Sequence, residues 1–176
     1  LLIAPHPNGR PGKYKPLFPP LALMQLAALT PQNIEVKIID ESVQPFDYDY
    51  PADLVGISLT MSAIRPRGKQ IAREFRERGV PVVLGGVDAT FCFKEYLQSA
   101  DYVFRGEAEG GWQRFLDLLQ KDMAPPVFRA EALPDLSSSP PPARSHLNPK
   151  DYLFFNIVQT GRGCPNNCEF CSVWMF

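Results

Sequence analysis

The sequence has no excess of charge of either sign. Its 18 lysines and arginines stand against 19 aspartates and glutamates, for a formal net charge of −1. Such a chain offers no basic surface to nucleic acid, and we predict no nucleic-acid partner. No apolar run approaches the about 20 residues of a transmembrane helix, so we predict no membrane span. Four cysteines without a secretory leader indicate a reducing, cytoplasmic setting.

A glycine-rich dinucleotide fingerprint is missing as well. The turn after the first apolar run, residues 5–12, is long, rich in proline and without a G-x-G-x-x-G pattern. Such a turn cannot bring a helix N-terminus to a pyrophosphate, which disfavours NAD and FAD. Asp40 ends the second apolar run and is suited to a ribose, but the missing fingerprint outweighs it.

Apolar runs alternate with amphipathic stretches over residues 1–121, which is typical of repeated βα units. The pattern predicts strands at 1–5, 35–39, 53–59, 81–84 and 101–104, and helices at 20–29, 67–78, 90–98 and 109–121. We therefore predict an α/β fold with a doubly wound, flavodoxin-like sheet of five parallel strands.

The rest of the chain changes character. Residues 123–150 carry much of the proline and a run of serines, which predicts an extended linker. Residues 152–158 are mostly apolar and predict the first strand of a new domain, with a cysteine loop after it, as in a β/α barrel. We predict a Rossmann-like domain at 1–122, a Pro-rich linker at 123–150 and the truncated start of a barrel at 151–176, hence a fragment of a longer protein.

Three cysteines lie in that last segment, spaced C-x3-C-x2-C at Cys164, Cys168 and Cys171. Three thiolates on one loop can hold three irons of a cubane 4Fe-4S cluster and leave the fourth iron open. A structural zinc ion needs four ligands, and no further cysteine or histidine is near in sequence. Zinc and inert thiols nevertheless remain alternatives. Cys92 is distant in sequence, and we interpret it as a packed thiol.

The cysteine spacing, with Phe170 before the last cysteine, resembles the signature of the radical S-adenosylmethionine (SAM) enzymes. The resemblance implies that Cys164, Cys168 and Cys171 hold the cluster and that SAM binds the open iron. It further implies that an electron from the cluster cleaves SAM to a 5′-deoxyadenosyl radical, and that flavodoxin or ferredoxin supplies the electron.

Small, hydroxylated and acidic residues follow the predicted strands. Because parallel strands end at one edge of a sheet, where ligands bind in such folds, these residues are candidates for a binding site. They are Ser58, Thr60, Gly85, Gly86, Gly106 and Glu107. A structural interpretation is open for each: the hydroxyls suit helix caps, the glycines suit turns, and Glu107 with Glu109 suits a helix N-terminus.

A second resemblance covers nearly the whole chain. It rests on five short segments that precede the cysteine loop: FPPL (18–21), IDE (39–41), GISLT (56–60), VLGG (83–86) and FRGE (104–107). Together they resemble the cobalamin-binding domain of B12-dependent radical SAM proteins. The resemblance implies that the six strand-end residues line the cobalamin tail and the edge of the corrin. The D-x-H-x-x-G motif that supplies a cobalt ligand in other B12 enzymes is absent, and His6 is a weak substitute.

We therefore predict a fragment of a cobalamin-dependent radical SAM enzyme with three cofactors: a 4Fe-4S cluster, SAM and cobalamin. Its reaction would be methyl transfer, or another radical reaction, at an unactivated carbon of a small-molecule, lipid or tetrapyrrole-type substrate. Two alternatives stay open, namely a non-catalytic cobalamin-binding module and a zinc-stapled α/β domain. We predict no catalytic residue besides the metal-binding cysteines.

Overall fold

The computed structural model describes residues 1–130, 134–171 and 173. Short strands alternate with helices in the first two thirds of the chain, followed by three-residue 3₁₀ turns. The strands are β1 (Leu2–Ala4), β2 (Ile38–Asp40), β3 (Val55–Ser58), β4 (Val82–Gly85), β5 (Tyr102–Arg105) and β6 (Val127–Arg129), and the α-helices are α1 (Leu21–Leu29), α2 (Arg65–Glu77), α3 (Val87–Phe91) and α4 (Trp112–Gln120).

All neighbouring strands pair in parallel, in the order β2-β1-β3-β4-β5-β6. The order reverses direction between β1 and β3, as in flavodoxin-like folds. The doubly wound α/β class and the strand order that the sequence predicts are therefore confirmed. The sheet is open and not closed into a barrel.

The predicted number of five strands is wrong, because the proline-rich stretch contributes a sixth. Val127 and Phe128 of β6 lie opposite Val103 and Phe104 of β5. The ring of Phe128 is buried, with its centroid 5.1 Å from that of Phe104 and 5.6 Å from that of Phe115. The preceding prolines conceal this strand in the sequence, since two apolar residues and an arginine are too short a run to show alternation.

Helices cover both faces of the sheet. One core cluster joins α2 and α3 to the strands through residues such as Ile71, Phe75 and Ala89. The other face packs α1 against α4 through Leu29, Trp112 and Phe115. Side chains of alternate residues in each strand pack on opposite faces of the sheet. Both faces are covered, so the strands are continuous apolar runs in the sequence.

The proline-rich segment lies on the domain and does not extend away from it. Gln25 of α1 donates from Nε2 to Ser139 Oγ at 2.8 Å and to the Pro140 carbonyl at 2.9 Å. The backbone N–H of Ala143 donates to the Met24 carbonyl at 3.0 Å. The predicted extended linker is therefore corrected to a strand and a packed strap on α1. Two backbone groups of the strap, the Pro140 carbonyl and the Ala143 N–H, thus find hydrogen-bond partners on α1.

The predicted strand at 152–158 is also wrong, because the segment has no strand structure among the described residues. Its N–H groups bond to a loop: Leu153 donates to the Pro16 carbonyl at 3.1 Å and Phe154 to that of Leu17 at 2.9 Å. The buried Tyr152 hydroxyl donates to Asp40 Oδ2 at 3.2 Å. A strand needs a neighbouring strand to form a ladder, and no described segment offers one here. The predicted domain division at 122 and 150 stays a prediction.

No helix within the described ranges combines the length and the apolar character that crossing a membrane requires.

A buried ion pair joins the starts of α2 and α3. Asp88 is 8% exposed, and Arg65 donates to it from Nε at 3.0 Å and from Nη2 at 2.7 Å. The Tyr96 hydroxyl donates to the same carboxylate. Hydrogen bonds from Arg65 hold the pKa of Asp88 below its ordinary value, although burial opposes them. The pair therefore stabilises the fold only while Asp88 is ionised.

We expect Asp88→Asn to lower the free energy of unfolding by about 2 kcal/mol at pH 7, because Arg65 loses its charged hydrogen bonds to Asp88 while its pair with Glu95 at 2.8 Å remains. The pKa of Asp88 is lower in the folded state, so its stabilisation is complete above the unfolded value of about 3.9. It is lost as pH falls through the folded pKa. Urea unfolding at several pH values measures this. The gap between wild type and variant should shrink in acid, while the exposed Asp117→Asn stays near wild type at each pH. A gap independent of pH would contradict the assignment.

Candidate functional site

A cavity of about 870 Å³ opens at the carboxyl ends of β3, β4 and β5, on the face that carries α1 and α4. This volume is in the upper part of the range for small-molecule and cofactor sites. The structure brings all six strand-end residues of the sequence prediction to this one cavity: Ser58, Thr60, Gly85, Gly86, Gly106 and Glu107. Their assignment to a particular ligand stays a prediction.

Parallel pairing places these residues side by side. Ser58 ends β3 directly opposite Gly85, which ends β4, and Gly106 follows the last residue of β5. The caps that the sequence also suggests are not formed by Ser58 or Thr60, because the 3₁₀ turn that follows them has Met61 as its N-cap and no side-chain cap bond. The two hydroxyls thus remain at the cavity wall.

The two neighbouring glycines serve different purposes. Gly86 has φ of +104°, and a Cβ there would lie 2.6 Å from the Leu59 carbonyl oxygen. The turn interpretation therefore holds for Gly86, whose backbone conformation requires glycine. Gly85 has no such conformation, and a Cβ there would find its nearest neighbour, Phe104 Cβ, at 3.9 Å. The fold has room for a side chain at position 85, and glycine there leaves the cavity open.

The walls of the cavity are mostly apolar. Side chains from α1, β4, β5 and α4 form the inner wall, and the outer wall comes from the proline strap and the segment before the cysteine loop. The inner wall includes Leu21, Leu26, Val83, Phe104 and Trp112, and the outer wall includes Pro140, Pro141, Pro142, Arg144 and residues 157–163. Arg144 holds that outer segment, since its Nη2 donates to the Ile157 carbonyl at 2.6 Å. A large, flat and partly apolar ligand suits such a slot.

An ion cluster closes one side of the rim. Arg162, two residues before Cys164, donates from Nη1 to Glu107 and from Nη2 to Glu109, and Nη1 also lies 3.0 Å from Glu109 Oε2. Burial is the largest effect on both carboxyls. It raises the pKa of Glu107 above the ordinary value. For Glu109, burial is opposed by the hydrogen bonds with Arg162, by a hydrogen bond with the backbone and by the charge of Arg162, which together hold the pKa below the ordinary value. Of the two carboxylates, Glu109 therefore stays ionised to lower pH.

The three cysteines of the loop are free thiols. Cys164 and Cys168 are exposed and Cys171 is half-buried, and the Cys171 N–H donates to the Cys168 carbonyl at 3.0 Å. The donor types fit an iron–sulfur cluster, and all three are on one loop. Within the described ranges, no three cysteines, histidines or carboxylates are gathered closely enough to hold a metal ion. Their role as metal ligands therefore stays a prediction.

Three other candidates from the sequence lie elsewhere. His6 is not among the described residues that line the cavity. Its ring Nδ1 accepts a hydrogen bond from the Asn8 N–H at 3.3 Å. Asp40 is 5% exposed, so its carboxylate faces the Tyr152 hydroxyl and not a ribose. Cys92 packs against the core cluster of α2 and α3, as predicted.

The pairing of Arg162 with the strand-end carboxylates is not predicted from the sequence. The two carboxylates are 55 and 53 residues away, and no local pattern joins them. The only signal in the sequence is the pair of neighbouring carboxylates at a strand end, since two such charges favour a nearby cation. The wall residues Trp112 and Arg144 are missed for a similar reason, because helical periodicity alone assigns Trp112 to the core.

Comparison with known families bears on the ligand. The model of the B12 binding domain matches residues 11–116, more than half of the chain. The chain belongs to the B12-binding domain family. The match includes β2 to β5 and all six strand-end residues of the cavity, which agrees with cobalamin as the ligand of this domain.

Curated relatives extend the similarity beyond this domain. A bacteriochlorophyllide d C-8(2)-methyltransferase of Chlorobaculum tepidum is 34% identical over 165 residues, which cover 89% of this chain and 36% of the relative. A hopanoid C-2 methylase of Rhodopseudomonas palustris is 31% identical over 162 residues, 89% of this chain and 30% of the relative. An anaerobic magnesium-protoporphyrin IX monomethyl ester cyclase of Cereibacter sphaeroides is 29% identical over 121 residues, which cover 53% of this chain and 20% of the relative.

This B12-binding chain therefore spans about a third of the length of the first two relatives. No solved structure matches it significantly.

Proposed function

We propose that the cavity binds cobalamin and that the chain is the cobalamin-binding part, with the start of the cluster-binding part, of a radical SAM methyltransferase. The observation that carries this is the convergence of six strand-end residues on one cavity of about 870 Å³ in a member of the B12-binding domain family. The sequence pattern alone places these residues at strand ends.

The chemistry of the cavity supports a cobalamin tail beside the sheet. The apolar wall suits the benzimidazole, because burying aromatic surface contributes about 25 cal/mol per Å². Ser58 and Thr60 supply hydroxyls for the polar phosphate, sugar and amide groups, and Gly85 and Gly106 let the ligand approach the main chain. The sequence has no D-x-H-x-x-G motif, so no histidine of such a motif would replace the benzimidazole as a ligand of cobalt.

For the cysteine loop we propose that Cys164, Cys168 and Cys171 hold a 4Fe-4S cluster. When bound, that cluster supplies the electron that cleaves SAM, with flavodoxin or ferredoxin as the donor. The exposure of Cys164 and Cys168 supports access for assembly. Two of the relatives are methyltransferases, one of a bacteriochlorophyllide and one of a hopanoid, so we propose methyl transfer to a large, apolar substrate of the lipid or tetrapyrrole class.

Titration with hydroxocobalamin, followed by gel filtration, tests the first step. We expect the corrin absorbance to elute with the protein at a ratio near one, because the domain has this cavity at the ligand edge of its sheet. Protein that elutes free of corrin would overturn the proposal. If corrin binds but iron and sulfide do not, the non-catalytic cobalamin-binding module becomes the function of this chain.

A further inference from the structure

Arg162 and two glutamates connect parts of the chain that are distant in sequence. Arg162 belongs to the segment before the cysteines, whereas Glu107 and Glu109 follow β5. All three are largely shielded, since the side chains of Arg162, Glu107 and Glu109 are 23%, 19% and 6% exposed. Exposed ion pairs contribute little to stability, but forked bonds between an arginine and shielded carboxylates are directional and stronger.

We propose that Arg162 is a positioning residue that docks the cysteine loop onto the rim of the cobalamin cavity. The effect of this docking on cobalamin binding rests on the proposed function, whereas the docking itself needs no cofactor. In this assignment Glu107 and Glu109 hold the loop, and Glu107 is not primarily a contact of the cobalamin tail. We name this ion cluster of Arg162, Glu107 and Glu109 the loop latch.

The charges of the loop latch explain why it forms. Two carboxylates that lie together in a shielded place repel each other, and each loses hydration. One guanidinium that bonds to both relieves these costs, and its five donors suit two carboxylates better than the ammonium of lysine does. Removing Arg162 would leave Glu109 buried beside a like charge, so the carboxylates themselves favour the docked loop.

The latch restrains the first predicted cluster ligand. Only Gly163 lies between Arg162 and Cys164, so their Cα atoms are at most about 7.6 Å apart, since consecutive Cα atoms are 3.8 Å apart. A docked Arg162 therefore keeps Cys164 near the end of β5. Residues 159–163 also line the cavity, so a ligand there contacts the segment that the latch holds. Loop docking and ligand binding should thus favour each other, as reciprocal linkage requires.

Limited proteolysis of the full chain with subtilisin, without cofactor, tests the docking, because a docked segment is cleaved only when it opens. We expect Arg162→Gln and Glu109→Gln each to raise the rate of cleavage within 159–163 about tenfold, a loss of about 1.4 kcal/mol of docking free energy, once each rate is divided by that of the same variant unfolded in urea. Cleavage within β4 should not change. The double variant should be cleaved no faster than either single variant, because both remove the same interaction. Arg162→Lys should lie between wild type and Arg162→Gln.

The control is Arg73→Gln, which removes an exposed arginine of α2 and should leave cleavage within 159–163 unchanged. Unchanged cleavage in both latch variants, or additive effects in the double variant, would overturn the proposal. With hydroxocobalamin present, we expect the latch variants to bind several-fold more weakly and wild type to be cleaved more slowly within 159–163. If wild type does not bind cobalamin, the proposed function fails, while the cleavage data still decide the docking.

Discussion

Cys168→Ala abolishes assembly of the iron–sulfur cluster. When the chain is reconstituted with iron and sulfide without oxygen, we expect wild type to acquire the visible charge-transfer band and acid-labile sulfide, and the variant to acquire neither. The reason is that a cubane held by three thiolates loses one of its three anchors, and the two that remain cannot retain the core. Absorption spectra and sulfide analysis measure both quantities.

The fourth cysteine of the chain provides the matched control. Cys92 is a half-buried thiol packed on the core cluster of α2 and α3, and Cys92→Ala should bind as much cluster as wild type. An unchanged band in Cys168→Ala would contradict the assignment. Zinc in place of iron, found by elemental analysis of protein purified without oxygen, would support the zinc-stapled domain instead.

Gly85→Leu is expected to weaken hydroxocobalamin binding by at least about 100-fold, or about 2.8 kcal/mol. Val83 and Gly85 lie two residues apart on β4 and both line the cavity, so a side chain at 85 projects into it. The nearest atom to its Cβ is 3.9 Å away. The leucine therefore occupies cavity volume without strain in the fold. Binding is measured by absorbance titration, and folding by the urea midpoint.

Two further variants separate this effect from damage to the fold. Gly12→Leu adds the same side chain at an exposed position outside the cavity and should bind like wild type. Gly86→Ala should lower the free energy of unfolding by about 3 kcal/mol, because a side chain there meets positive φ and the Leu59 carbonyl. If Gly85→Leu binds cobalamin as wild type does, the ligand does not occupy this cavity.

The prediction from sequence succeeded where local patterns carry the information. The predicted strands at 81–84 and 101–104 match β4 and β5 within one residue, and the run at 53–59 contains β3. These runs are apolar because both faces of a parallel sheet are covered. The order of the strands followed from the alternation of strands and helices, since right-handed crossovers leave few topologies.

The prediction failed where a segment takes its structure from a distant partner. Val127–Arg129 forms a strand only because β5 has an open edge beside it and Phe128 fits against Phe104 and Phe115. The apolar segment at 152–158 fails to form one, because no described strand lies beside it. Its backbone instead bonds to Pro16 and Leu17. Composition cannot distinguish these two outcomes.

The sequence by itself determined the class of fold, the strand ends that carry small and acidic residues, and the spacing of three thiols on one loop. Each of these depends on neighbours within a few residues along the chain. Only the tertiary structure decided that the strand ends share one cavity, that Gly85 and Gly86 differ in purpose, and that Arg162 pairs with Glu107 and Glu109. Those relations depend on atoms brought together from distant parts of the chain, such as Arg162 and Glu109, which are 53 residues apart. Side-chain direction and burial set these contacts, and no periodicity in the sequence records them.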